Sequence, residues 1–330
     1  MDISVTNEKY KDIDAIKMES PVLSILIIPE SGGKIQSIFH KSWQRELLYQ
    51  SGHEKFIKAR YADPFGMGDV SGFDEIFPSI EECVYPAYPW KGTLVPDHGE
   101  VWALPWDYSI EDEVITMSVN GVRFPYRLEK RVEFISDSCF RLSYQAENLS
   151  DFNMPFIWSP HPYFLCDKGS RVVLPPSVKK VISTCGLENK LGDYGSVHEW
   201  PLTTLSDGSR YDISDVMDPP YAAKCEKFYA VNHPEEGWCA LLNAQSGETI
   251  GLSYPPEKLP YLGVWEGIIN GRYVTAIEPV TGSLDRLDLS FYANMAGVIK
   301  RRSVYSWYLN LSFMNTQTIQ SIDRQGSFVI

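Results

Sequence analysis

The sequence predicts an all-β chain, a large antiparallel β-sandwich with few and short helices. Three observations carry that expectation. Apolar and polar residues alternate with period two in segment after segment, 22 prolines and 23 glycines cut the alternation into short runs, and helix-spaced apolar residues are scarce. The 330 residues, 44% hydrophobic and 22% charged, allow a large core without staples. They read as one domain, 1–330, with no internal repeat, low-complexity tract or linker.

Taken in order, Val22 to Ile28 and Ile35 to Phe39 form a strand pair around the turn at Ser31-Gly32-Gly33. Pro86-Ala87-Tyr88-Pro89-Trp90 reads as a loop over a site. Val114 to Val119 and Val122 to Phe124 flank Asn120-Gly121, a dipeptide that accepts the positive φ of a tight hairpin turn. Phe140 to Glu147 alternates without a break, so one face meets a core and the other water. A second hairpin runs from Cys239 to Asn243, through Ser246-Gly247, to Thr249 to Tyr254. A Ser cap with apolar residues at helical spacing predicts a helix over Ser283 to Asn294. Lys300-Arg301-Arg302 reads as a solvated turn before a long central strand, in which Tyr305, Trp307, Leu309, Leu311 and Phe313 share one face.

Charge and composition exclude several classes. A net charge of −13 repels nucleic acid and anionic lipid, and the one compact basic run is short. No apolar stretch approaches the roughly 18 residues of a membrane span, and the first residues lack a basic region followed by an apolar one, so a cytoplasmic protein is expected. Cys83, Cys139, Cys166, Cys185, Cys225 and Cys239 are dispersed without a CxxC pair and read as reduced thiols, with neither a zinc site nor a disulfide framework. No cofactor or metal is called for, and the sequence leaves the oligomeric state open.

Three distant segments each present one proton-handling side chain: His98 in Pro96-Asp97-His98-Gly99-Glu100, His161 in Ser159-Pro160-His161-Pro162-Tyr163-Phe164, and Glu278 in Ala276-Ile277-Glu278-Pro279. The two prolines beside His161 hold it on stiff, non-helical backbone, which suits a general acid. Asp97 is placed to fix the tautomer of His98 if its side chain turns that way, and Gly99 leaves room for a ligand. Glu278, among Ala276, Ile277 and Pro279, is a poorly solvated carboxylate and hence a base if it faces inward. A metal held by Asp97, His98 and His161 lacks supporting ligand spacing. Asp74 and Glu75, in Gly72-Phe73-Asp74-Glu75-Ile76, are candidate acceptors for substrate hydroxyls whose charge opposes an anionic substrate. Trp265 is the first choice for a flat apolar platform, ahead of Trp90, Trp102, Trp106 and Trp158.

Together these segments resemble the aldose 1-epimerase, or galactose mutarotase-like, superfamily over most of the chain. The resemblance implies a β-supersandwich of two extended sheets and a small sugar as substrate. It implies that Glu278 takes the proton of the anomeric hydroxyl, that His161 protonates the ring oxygen, and that His98 holds the sugar nearby. Two departures stand out: Glu100-Val101-Trp102 follows Gly99 where an aromatic is more usual, and Asp74-Glu75 occupies a region where relatives carry an arginine. Two rival readings are a non-catalytic carbohydrate-binding or sensor protein on the same fold and a glycoside hydrolase pairing Glu278 with Asp97, Glu100 or Glu75.

Overall fold

The computed structural model describes residues 1–184, 190–216 and 225–330, and it is built of antiparallel strands. The chain divides into two compact units: Met1–Pro162 with Thr281–Tyr308, and Tyr163–Val280 with Leu309–Ile330. Each unit therefore draws on two separate stretches of sequence.

In the first unit, one sheet runs in the order Ser4–Tyr10, Ile13–Glu19, Leu23–Ile28, Lys34–His40, Phe73–Ile76, Ser159–Pro162, with Arg45–Glu46 added beside Lys34–His40. The pair expected around Gly32 and Gly33 is present, with both glycines at positive φ and a bulge between Leu26 and Ile27. A Cβ at Gly32 would lie 2.5 Å from the carbonyl oxygen of Trp102, so only glycine fits. A meander of Asp107–Glu111, Val114–Asn120, Tyr126–Ser136 and Cys139–Asn148 follows. In its last strand Phe140, Leu142, Tyr144 and Ala146 are buried, as the alternation required. Each large side chain so buried contributes about 1.5–3 kcal/mol.

The second unit contains the sheet Phe164–Cys166, Arg272–Val280, Tyr261–Ile269, Cys225–Ala230, Lys180–Ser183, Val197–Glu199. Its other strands include the expected hairpin, Trp238–Asn243 with Glu248–Ser253, and the end of Val304–Asn315 pairs with the latter. Val304–Asn315 is hydrogen-bonded on both edges and is the central strand foreseen, entered through a turn at Arg301 and Arg302.

Two local expectations are corrected. Asn120-Gly121 does not make a two-residue hairpin: Pro125 has no N–H to give a ladder, and the amides of Val122 and Arg123 donate to the Glu100 carboxylate, so the partner strand begins at Tyr126. The helix is only Leu287–Tyr292, because Leu284 and Asp285 adopt left-handed φ of 74° and 57°. The Asp285 carbonyl instead accepts the amides of Ile80 and Glu81. The Pro86 to Trp90 stretch is a loop, as expected, with Tyr88 exposed; Tyr88 and Trp90 contact Phe152, and Trp90 also contacts Phe124.

Cys83, Cys139, Cys166 and Cys239 are buried free thiols, Cys225 is a partly buried one, and Cys185 lies outside the described residues. No helix among the described residues is long and apolar enough to cross a membrane.

Candidate active site

His161 sits on the Ser159–Pro162 strand, which pairs antiparallel with Phe73–Ile76 and sets His161 opposite Asp74 and Pro160 opposite Glu75. The prolines do hold it in extended backbone, and the ring is buried. Its centroid lies 5.8 Å from that of His98 and 6.0 Å from that of Phe65, edge-on to both.

His98 is held from three sides. Its Nδ1 is 2.8 Å from Oδ1 of Asp97, so the neighbouring carboxylate does orient the imidazole. Its ring stacks on Phe65 at 3.9 Å and 8°, and its backbone takes a left-handed φ of 57°. Oδ2 of Asp97 accepts the Phe65 amide, tying the stacking ring to the same carboxylate. Burial would raise the Asp97 carboxyl, but the bonds from His98 and Phe65 bring it below its ordinary value. Both oxygens of Asp97 are engaged in this way. Gly99 answers a different need from the one expected: a Cβ there would lie 2.0 Å from the Phe77 carbonyl oxygen, so the close approach is of backbone, not ligand.

Glu100 is turned inward. Its carboxylate accepts Tyr61 Oη at 2.6 Å and Tyr126 Oη at 3.0 Å besides the Val122 and Arg123 amides. It is a structural knot that fixes the Tyr61 to Phe65 segment, and hence the ring stacked on His98.

Asp74 and Glu75 part company because successive strand residues face opposite ways. Glu75 is corrected as a substrate ligand. Its Oε1 accepts Lys130 Nζ at 3.0 Å and Tyr144 Oη at 2.8 Å, its Oε2 accepts Trp158 Nε1 at 3.0 Å, and it has no exposed surface. Asp74 faces the His161 side. Its Oδ2 is 3.2 Å from Lys34 Nζ, which also donates to the carbonyls of Asp69 and Ser71. Lys34, Asp74 and His161 thus form a row across three strands. Burial pushes the Asp74 carboxyl up to about 6, against the pull of Lys34 and His98.

In the second unit, Glu278 is buried on Arg272–Val280, facing inward as the sequence reading required of a base. Register fixes its surroundings. Tyr229, Gly263 and Glu278 occupy one row of three strands; Lys227, Trp265 and Ala276 occupy the next row on the same face. Lys227 Nζ is 2.9 Å from Oε2 of Glu278, supplying a counter-charge that local sequence did not reveal. Trp265 is only partly buried and meets the ring of Tyr163 edge-on at 5.6 Å. The rival tryptophans are otherwise engaged: Trp158 with Glu75, Trp106 with the Val101 carbonyl, Trp102 with the Asp97 carbonyl, and Trp90 with Phe124 and Phe152.

Among the described residues, no group of three or more His, Cys, Asp or Glu side chains is arranged to hold a metal ion. One unit presents two imidazoles with an orienting carboxylate; the other presents a buried carboxylate beside an ammonium and an indole. Sequence reasoning missed Phe65, Lys34 and Lys227. Pro64-Phe65-Gly66 carries a turn signal only, and the two lysines become visible only once strand register is known.

No protein-family model matches the sequence, and no curated protein does. Solved structures do match. A candidate aldose 1-epimerase from Klebsiella pneumoniae superposes with TM-score 0.71 at 13% identity, over 96% of this chain and 84% of that one. The Slr1438 protein of Synechocystis gives 0.68 at 18%, over 94% and 99%. A galactose mutarotase related enzyme from Lactobacillus acidophilus gives 0.63 at 14%, over 95% and 98%. The chain has the all-β galactose mutarotase-like fold.

Proposed function

We propose that the protein is an aldose 1-epimerase-like mutarotase, interconverting the α and β anomers of a neutral aldose by opening and reclosing its ring. The observation that carries this reading is the imidazole pair: His98 and His161 lie 5.8 Å apart, with one ring fixed by Asp97 and Phe65. Binding alone has no need for two proton-handling rings so oriented. The fold it shares with proteins described as mutarotases and candidate aldose 1-epimerases supports the reading at the level of architecture.

On this reading Glu278 accepts the proton of the C1 hydroxyl while His161 delivers one to the ring oxygen. The bond from C1 to the ring oxygen breaks, the aldehyde rotates about C1–C2, and the reverse steps close the other anomer. Neither oxygen accumulates charge, and each positioned group contributes on the order of 10² to 10⁴ in rate. His98 holds the sugar near its ring oxygen, Asp74 accepts a hydroxyl, and Trp265 offers a flat face.

A glycoside hydrolase loses ground. The carboxylates weighed as partners of Glu278 are taken up elsewhere: Glu75 and Glu100 are buried and engaged by internal donors, and Asp97 bonds His98 and Phe65. The test is an anomer-exchange screen of the wild-type protein across neutral, deoxy, phosphorylated and acidic aldoses. Faster exchange of a neutral aldose is the expected result. Sugar binding without acceleration of any aldose would leave a carbohydrate-binding protein and end the proposal.

A further inference from the structure

Taking the reading of Glu278 as general base, we propose that Lys227 is its positioning residue: the ammonium keeps the buried carboxylate ionised and fixes its orientation through Oε2. Nothing in the resemblance to known relatives assigns a role to this lysine.

The argument starts from the cost of burial. Glu278 has no exposed surface. A carboxylate removed from water without compensation takes up a proton, and a protonated carboxyl cannot accept the hydroxyl proton of a sugar. Compensation must come from a nearby positive charge or from donors, and the charge is present: Lys227 Nζ lies 2.9 Å from Oε2, on a side chain that is itself 10% exposed.

Among the described residues, the other side chains on this face of the sheet are placed as follows. On Cys225–Ala230 the remaining titratable side chains are the Cys225 thiol and the Tyr229 phenol, both neutral when protonated. Tyr261–Ile269 presents Gly263, Trp265 and Gly267 there. On the strand of Glu278 itself the only cation is Arg272, six residues away at the exposed end. On Lys180–Ser183, Ile182 flanks Tyr229, and Lys180 at the rim is exposed and paired with Glu199. On the chain approaching Phe164–Cys166, the Tyr163 phenol packs against Trp265. Glu226 and Glu266, opposite each other across the strands, belong to the opposite face.

The pairing has a chemical consequence that a purely structural salt bridge lacks. An ammonium in contact weakens the carboxylate as a base, but it keeps the ionised form populated at neutral and mildly acidic pH. Without it, proton abstraction requires alkaline conditions.

The test compares kcat/KM for anomer exchange against pH in the wild type and in Lys227→Met, Lys227→Gln and Lys227→Arg. Expected are losses of about 10²-fold or more near neutral pH in the Met and Gln variants, partly recovered as pH rises, and a nearly wild-type profile in the Arg variant. Met and Gln profiles that parallel the wild type, with the same fractional loss at every pH, would overturn the proposal. A second readout needs no turnover: the ¹³C resonance of the Glu278 carboxyl, assigned by its loss in Glu278→Gln, should titrate at higher pH in Lys227→Gln than in the wild type. An unchanged midpoint also overturns it, and the Gln and Arg variants serve if the Met variant does not fold. If the wild type shows no exchange but the carboxyl midpoint moves, the mutarotase reading fails while the link between Lys227 and Glu278 stands.

Discussion

Asp74 stands opposite His161 in an antiparallel ladder while its carboxylate lies 3.2 Å from Lys34, so an ammonium, a carboxylate and an imidazole share one row of a sheet. The row places a buried acid with a raised pKa beside the proposed proton donor, and the acid has a thermodynamic signature of its own.

Burial raises the Asp74 carboxyl from 3.8 to about 6. Between those values the folded chain holds a proton that the unfolded chain has lost. The stability from that proton is complete below the unfolded value and is gone once pH passes the folded one. Urea unfolding should therefore show wild-type stability falling across that window, with this group contributing on the order of 2–3 kcal/mol. Asp74→Asn should flatten the fall. A variant curve parallel to the wild type would contradict the assignment.

Glu75→Ala should behave as a core lesion. It strands the fully buried Lys130 ammonium and removes the acceptor of Tyr144 and Trp158. Breaking one partner of such a pair costs about 3–5 kcal/mol, measurable by denaturant titration. A stable variant that had lost only affinity for sugar would restore Glu75 as a ligand.

Asp97→Asn keeps the shape of the side chain but removes the charge that orients His98 at 2.8 Å. The expected outcome is a fall in kcat of about tenfold or more with an unchanged circular dichroism spectrum. Phe65→Leu, which removes the stacked ring, should shift the His98 imidazole resonances in the same experiment. Unperturbed His98 resonances in both variants would show that the ring is held by something else.

The period-two pattern made the strands legible: Cys139–Asn148, Val304–Asn315 and the hairpin from Trp238 behave as their alternation demands. The readings that failed did so where a distant group intervened. Glu100 captured the amides after Asn120-Gly121, and contacts of Asp285 with Ile80 and Glu81 displaced the start of the helix. The site follows the same division. His98, His161 and Glu278 stand out as candidates from their local segments, because proline and glycine mark them. Which of Asp74 and Glu75 faces His161 depends on strand parity relative to a partner more than eighty residues away. Lys227 reaches Glu278 across an intervening strand, a relationship set by two registers that no local pattern encodes.

Trp265 occupies the row beside Glu278 and is only partly buried. Trp265→Leu should raise KM for the aldose about tenfold while changing kcat little, since a flat apolar face binds ground state and transition state alike. A loss confined to kcat would place the indole in the chemistry instead.

The most direct measurement is two-dimensional NMR exchange between the anomers of a responsive neutral aldose, with the wild type, Glu278→Gln and His161→Asn compared at equal concentration. The account predicts rapid exchange with the wild type and a loss of about 10²-fold or more in each variant, both still folded. Exchange that survives undiminished in Glu278→Gln would contradict it.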